Sequence, residues 1–551
     1  MSERVLPQGK TYEEVCARFR WSVPSSFNIA VDICDRHAVE PARVALIYED
    51  EAGTVSEHTF AEFRARSNQL AGALRRLGVQ RGDRVGIVLS QRPETAVAHL
   101  AAYKLGAIAL PLATLFGPEA LQHRLGNAGV RVAITDPHSL ERLLAVQKNL
   151  PELKHIISVD RADAEGVLDY RKLLERESDS FAPVKTAAED GALLIYTSGT
   201  TGPPKGALHA HRMLLGRLPS MEFVHGFFPQ PGDRFWTPAD WAWAGGLLDM
   251  LLPSWHYGVT VVAHRARKFD AARAFDLIAR HKIKNVFLPA TVLKMMRKIE
   301  DPLKYKDARL RTIHTGGETV GDEVIRWTEQ TLGSTPHEGF GQTEILMMLA
   351  NCSALMPIKP GSMGRPVPGH EVDLLDVEGR PVPVGEVGEI CIKRPVPGMF
   401  LRYWNDEKAT REKFLGDWLQ TSDLGQKDKD GYFWYVGRKD DVISSGAYRI
   451  GPGEIEACLA GHSAVALAAA VGSPDPIRGE VVKAFVQLRE GVSPTPELAQ
   501  ELQAYVRTRL SAHEYPRELE FIDALPTTTT GKVMRGELRK RERERKLGKS
   551  A

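Results

Sequence analysis

A chain of 551 residues is too long for one hydrophobic core, so two or more domains are expected. Hydrophobic residues make up 43% and charged residues 26%, and the net charge is +2, which gives no pull toward nucleic acid or an anionic membrane. No apolar stretch reaches the roughly 18 residues of a membrane span. The five cysteines, Cys16, Cys34, Cys352, Cys391 and Cys458, have neither metal-ligand nor disulfide spacing, which suits a reducing cytoplasm.

The first residues carry Glu3 and Arg4 early and no apolar core, so no secretory signal is read there. From about 60 to 400, short apolar runs alternate with helical patterns. Residues 85–89 read as a buried strand, 93–104 as an amphipathic helix and 107–112 as a strand. Residues 118–125 read as a helix with proline in its tolerated first turn, and 130–135 as another strand. The rhythm recurs at 259–263, 270–280 and 285–288. It predicts parallel sheets flanked by helices.

Residues 196–206 read Tyr-Thr-Ser-Gly-Thr-Thr-Gly-Pro-Pro-Lys-Gly. Five hydroxyls, three glycines and Lys205 lie within these eleven residues, and Leu193, Leu194 and Ile195 lead in as a buried strand would. Glycines let the backbone approach a ligand closely, and N–H groups, hydroxyls and the lysine suit a polyphosphate. The loop is not a Walker A motif, because its lysine follows two prolines and precedes Gly206. Gly531-Lys532 fails the same test: no glycine stands five residues earlier and Val533 follows.

Four further segments stand out: Thr315-Gly316-Gly317-Glu318, Glu338-Gly339-Phe340-Gly341-Gln342-Thr343-Glu344, Thr421-Ser422-Asp423-Leu424-Gly425, and the threonine run 527–530 ending at Gly531-Lys532. Each alone could be a turn, a helix cap or a surface charge. A Pro/Gly-rich β-type region covers about 361–436, and Gly437-Arg438-Lys439-Asp440-Asp441 is a charged linker candidate. The remainder reads as a compact unit: helix 453–460, strands 466–471 and 481–488, and helix 496–510. The basic tail 535–549 is read as a solvated helix face. There are no internal repeats.

In this order, the motifs make the chain resemble the acyl-CoA synthetases of the adenylate-forming superfamily, which also holds luciferases and peptide-synthetase adenylation domains. The likeness runs from about residue 40 to 540 and is strongest to the acetyl- and medium-chain type. It implies an α/β fold. A large N-terminal AMP-binding domain, 1–437, would have two helix-flanked sheets and a small β-barrel-like part. A hinge would follow at 438–440, centred on Asp440, and then a small mobile α+β lid at 441–551.

The resemblance implies the following site. Thr197, Ser198, Gly199, Thr200, Thr201, Gly202 and Lys205 hold phosphates; Gly317, Glu318, Glu338, Gly339, Phe340 and Gly341 surround the adenosine, with Phe340 stacked on the base. Thr343 binds phosphate and Glu344 holds Mg²⁺ through oxygen, as a hard cation prefers. Asp423 accepts both ribose hydroxyls, Arg438 reaches ribose or phosphate, and Lys532 is the catalytic lysine. ATP would convert a carboxylate to an acyl-adenylate with loss of pyrophosphate, and the thiol of coenzyme A would then attack the adenylate's carbonyl carbon. Mg²⁺, the loop donors and Lys532 would stabilise the phosphoryl charge. Between the two steps the lid would rotate, withdrawing Lys532 and bringing in residues 444–449.

Two departures from related sequences matter. Ala447 stands where a glycine borders the pantetheine tunnel, beside Gly446 and before Arg449; thioester formation is expected to survive this small side chain. Gly341 stands where acetate-specific relatives have tryptophan. With Ala244, Gly245 and Gly316 also small, an acid larger than acetate is expected: medium-chain, branched or small aromatic. Each added buried CH₂ would contribute about 0.8 kcal/mol. Trp241 and Trp243 would cap this pocket, and Arg507 is the candidate for the 3′-phosphate of coenzyme A. The rival readings are an adenylation enzyme loading a carrier protein in trans, a luciferase-like oxygenase, and a non-catalytic adenylate-binding regulator. The expected partners are the carboxylic acid, ATP and coenzyme A, without nucleic acid or membrane insertion, in a cytoplasmic monomer or homodimer. A lysine acyltransferase and deacylase acting on the exposed Lys532 loop are a further expectation from the resemblance.

Overall fold

The computed structural model describes residues 4–160, 164–197, 204–266, 268–317, 320–439, 441–445, 448–475, 479–509, 515–528 and 532–547. The expectations placed on Ser198, Gly199, Thr200, Thr201, Gly202, Glu318, Asp440, Gly446 and Ala447 lie outside these residues. The chain forms two compact units: residues 1–372 with 392–419, and residues 373–391 with 420–551. The fold is mixed α/β, as the alternating pattern predicts. Among the described residues no helix is long and apolar enough to cross a membrane.

In the first unit an eight-stranded sheet runs in the order Arg402–Tyr403, Lys205–Ala210, Gly191–Thr197, Ile108–Pro111, Arg84–Val88, Val132–Thr135, His155–Ser158, Val167–Asp169. The strands from Gly191–Thr197 onward pair in parallel, while Lys205–Ala210 pairs antiparallel with both of its neighbours. Gly191–Thr197 and Lys205–Ala210 form a hairpin in which Thr197 and Lys205 are direct partners. The predicted phosphate loop is therefore the connection of this hairpin.

The helix Pro93–Lys104 has the predicted bounds but is not amphipathic: every residue except Glu94 is buried. Ala96, Ala98, Ala101 and Ala102 keep it slim enough for packing on all sides. Its one charge at depth, Lys104, is fully buried and paired with Asp35 at 2.7 Å and Asn68 at 2.6 Å, as a desolvated ammonium requires. A polar end on this helix is satisfied inside the core, so it mimics a solvent face in the sequence.

A second sheet of the first unit includes Ser362–Pro366, Leu346–Ala350, Pro336–Gln342, Thr312–Gly316, Asn285–Phe287, Phe235–Trp236, Val261–His264 and Val44–Glu49 in that order. Thr312–Gly316 and Pro336–Gln342 run parallel, with Gly316 opposite Gly339. Ligands collect at the carboxyl ends of parallel strands, and both glycine-rich motifs lie at such ends.

The strands Val387–Lys393, Trp418–Lys427 and Phe433–Arg438 pair in that order within the Pro/Gly-rich β-type region. A five-stranded sheet follows, centred on Val465–Asp475 and Gly479–Leu488, and packed with the helices Pro452–Ala460 and Pro496–Arg509 around Ile455, Leu459, Val482, Leu502 and Val506. The basic tail differs from its reading as a solvated face. The helix Arg535–Leu547 buries Leu538, and buried Glu542 accepts from Lys483 at 2.7 Å and Ser473 at 2.9 Å. Ion pairs, invisible to a hydrophobic pattern, dock this helix.

Candidate active site

The site-bearing segment of the first unit starts at the mouth of the 197–205 hairpin. Lys205 is half-buried, with its ammonium 5.5 Å from the centroid of the Tyr403 ring. The Tyr403 hydroxyl donates to Oε1 of Glu344, which is buried. The strand Arg402–Tyr403 pairs along Lys205–Ala210, setting Tyr403 opposite Ala207. The Phe400 N–H donates to the Glu344 carbonyl at 2.8 Å, and the Phe400 ring packs 5.0 Å from that of Tyr403. Glu344 is thus held by backbone and side chain. The described residues contain no group of three or more His, Cys, Asp or Glu able to cage a metal. A single poised carboxylate with no cage fits Mg²⁺, which arrives with phosphate and water ligands.

At the strand ends, Glu338 is buried and accepts from the Val320 N–H at 2.9 Å. Burial pushes its carboxyl up to about 7, against the pull of that N–H. Phe340 is half-exposed. Thr343 is half-buried in the turn before Glu344. Gly317 has φ +87° with open space where a side chain would start, so here the glycine serves the backbone conformation.

The space argument for Gly341 is corrected by the geometry. A Cβ there would lie 1.8 Å from the Leu346 carbonyl oxygen and 2.7 Å from Met347 Cα. Gly341 sits at a register shift between its strand and Leu346–Ala350, where the two backbones approach closely. The missing side chain is filled by main chain, not by a ligand cavity. At Gly316 a Cβ would meet the Gly339 carbonyl oxygen at 2.8 Å, and at Gly245 the Phe287 ring at 2.5 Å. Of the two tryptophans, Trp241 is fully buried in the core, whereas Trp243 is half-buried and meets Phe116 edge-on at 5.8 Å. Ala244 is half-buried beside it.

In the second unit, Asp423 pairs in register with Arg438 on the neighbouring strand. Ser422 before it takes φ +61°. Asp423 is buried; Oδ1 accepts from the Tyr435 hydroxyl at 3.2 Å and lies 3.5 Å from Arg438 Nη1. Burial and the Asp423 charge hold the Tyr435 phenol above its ordinary range, so it stays a donor. Lys532 is exposed on a loop closed by its own backbone: the Thr528 N–H donates to the Lys532 carbonyl at 2.8 Å, and the Lys532 N–H to Thr528 Oγ1 at 3.1 Å. Arg507 is exposed on the helix Pro496–Arg509, 5.5 Å from the Tyr515 ring. Arg449 lies on the short strand Tyr448–Ile450.

Sequence reasoning missed Tyr403 and Tyr435, which hydrogen-bond the carboxylates of Glu344 and Asp423 respectively. Both follow charged or Gly-rich stretches with no motif spacing of their own. It also missed His314, whose imidazole would lie 2.9 Å from a Cβ at Gly339. His314 is fully buried on the strand Thr312–Gly316 and accordingly held down to about 3.

A twisted α/β scaffold with glycine-rich strand ends and one poised carboxylate is the frame of a nucleotide-binding enzyme. The chain belongs to the AMP-binding enzyme family: that family's model matches residues 34–404, and the model of the AMP-binding enzyme C-terminal domain matches residues 454–532. It is 36% identical to an acetyl-coenzyme A synthetase of Bacillus subtilis (strain 168) over 543 residues, covering 96% of this chain and 94% of that protein. It is similar in structure to the anthranilate CoA ligase AuaEII in complex with anthranoyl-AMP, with a TM-score of 0.86 and 29% identity, covering 96% and 99% of the two chains. It is also similar to a benzoate CoA ligase from Burkholderia xenovorans LB400, with a TM-score of 0.81 and 28% identity, covering 93% and 100%.

Proposed function

We propose that this protein is an ATP-dependent acid:CoA ligase that makes an acyl-adenylate, releases pyrophosphate and passes the acyl group to coenzyme A. The observation that carries the reading is Glu344, a buried carboxylate fixed by Tyr403 beside Lys205 at the mouth of the 197–205 hairpin. A magnesium ion bound by Glu344 would neutralise phosphate charge. Lys205, Thr197 and Thr343 would grip the phosphates, and Phe340 would stack on adenine. Asp423, with Tyr435 and Arg438 fixing it, would accept the ribose hydroxyls. Lys532, tied through its own backbone to Thr528, would stabilise charge at the α-phosphate.

For the acid we propose a monocarboxylate larger than acetate, with a small aromatic acid first among the medium-chain, branched and aromatic choices. The likeness to anthranilate and benzoate ligases supports it. So does the half-buried ring of Trp243, which offers a face that fully buried Trp241 cannot. Arg449 and Arg507 are proposed for coenzyme A. We further propose 1–437 as the AMP-binding domain, 438–440 as the hinge and 441–551 as the lid. Thioester formation would survive Ala447, and Lys532 would be open to acylation in a cytoplasmic enzyme.

The test is pyrophosphate release over a panel of straight, branched and aromatic acids, with and without coenzyme A, with the thioester product measured alongside. Acid-dependent release together with acyl-CoA supports the ligase. Release without any acyl-CoA would favour loading of a carrier protein, and no release with any acid would leave a binding regulator.

A further inference from the structure

Arg535 stands three positions after Lys532, at the first position of the helix Arg535–Leu547. A cation at a helix N-terminus opposes the helix dipole, so helix stability does not explain it. Its Nε donates to Glu456 Oε1 at 2.7 Å, its Nη2 donates to Oε2, and its Nη1 lies 3.6 Å from Asp441 Oδ2. One turn on, Arg539 donates to the other oxygen of Asp441. Glu456 Oε1 also accepts the Ala470 N–H at 2.9 Å, which fixes the acceptor to the sheet. All four charged side chains are mostly buried, Arg535 at 18% exposure and Asp441 at 11%.

The network reaches both proposed functional groups of this unit. On one side, the Met534 N–H donates to the Pro526 carbonyl at 2.8 Å and Thr527 bridges Val533, so the base of the Lys532 loop is continuous with Arg535. On the other, the Asp441 N–H donates to the Arg438 carbonyl at 2.9 Å, and Arg438 lies against Asp423. The Arg535 charge also acts on Tyr435, whose hydroxyl holds Asp423.

We infer that Arg535 is a positioning residue for adenylation, fixing the base of the Lys532 loop to Glu456 and Asp441 and so to the turn behind Asp423. This rests on the ligase reading above. The bidentate fork is suited to it, since a planar guanidinium sets direction where an ammonium sets only distance.

The experiment compares Arg535→Met, Arg535→Lys and Glu456→Gln with wild type in two half-reactions: acid-dependent pyrophosphate release, and thioester formation from supplied acyl-adenylate. Arg535→Met should lower the first by about 10- to 100-fold, the loss that a misplacement on the order of 1 Å brings, and the second by less than about threefold. Arg535→Lys should retain part of the lost rate, and Glu456→Gln should lower adenylation selectively even if Arg535→Met fails to fold. Equal losses in both half-reactions, or no loss in either, would overturn the assignment. The wild-type control keeps the two readings apart: a wild type silent with every acid sinks the ligase reading, whereas an active wild type with unaffected variants sinks the role of Arg535.

Discussion

The Tyr403 hydroxyl hydrogen-bonds the buried carboxylate of Glu344, so the residue proposed to meet the metal is oriented by a side chain 59 positions away in sequence. Tyr403→Phe removes the donor and keeps the ring under Lys205. The variant should need a higher magnesium concentration for half-maximal pyrophosphate release. It should also lose about 1.5–3 kcal/mol of stability, the range for a hydrogen bond to a charged group. A magnesium titration that overlays that of wild type would refute the orienting role.

Gly341 tests the difference between a small residue that leaves room and one that is required by main chain. With a Cβ only 1.8 Å from the Leu346 carbonyl, even Gly341→Ala must move backbone. We expect it to destabilise by about 3 kcal/mol or more, the upper end of overpacking losses, with chemical denaturation as the measurement. Gly341→Trp should fail to fold rather than narrow the acid preference. A stable Gly341→Trp protein with a preference for acetate would restore the pocket reading.

Lys532→Ala should separate the two half-reactions more sharply than any other single change. Acid-dependent pyrophosphate release should fall on the order of 100-fold, as when one charge-stabilising donor is lost from a transition state. Thioester formation from supplied acyl-adenylate should change little. A stopped assay of both products decides it, and parallel losses would show that Lys532 serves the fold.

The buried imidazoles set the acid limit of stability. Burial holds His314 and His99 down to about 3, His209, His211 and His370 down to about 4, and His225 and His337 below their ordinary value. Depressed in the folded state, each stays neutral while its unfolded counterpart takes a proton below about 6.5, so stability falls as pH drops through that value toward 4. Glu222 and Glu338, both raised to about 7, and Asp240, raised to about 6, act in the opposite sense over the same interval. The histidines outnumber them. Urea midpoints should therefore decline steadily from pH 6.5 to 4, and a flat profile would mean that these rings are protonated in the fold.

Much of the first unit was legible because its strands are short apolar runs broken by glycine and its helices open at proline or aspartate, as at Pro118 and Asp270. The glycine-rich motifs were found at strand ends because chemistry and backbone freedom coincide there. Gly341 was misread because a sequence records that a side chain is missing but not what occupies its place. The helix Pro93–Lys104 was misread for a related reason: Lys104 signals water in a string of letters, yet Asp35 and Asn68 satisfy it at depth. Tyr403, Tyr435 and Arg535 act through partners far away in sequence, and no periodicity encodes such pairs.

The short strand Arg402–Tyr403 lies along Lys205–Ala210, which otherwise ends the eight-stranded sheet. A growing or truncated chain that has not yet reached residue 403 would leave that strand with a bare row of peptide groups, open to adhesion between copies. Tyr403, which completes the carboxylate's setting, thus also helps to seal this margin. Shortened products ending before them are expected to be both inactive and prone to aggregate, so quality control of folding and assembly of the catalytic apparatus share one late event.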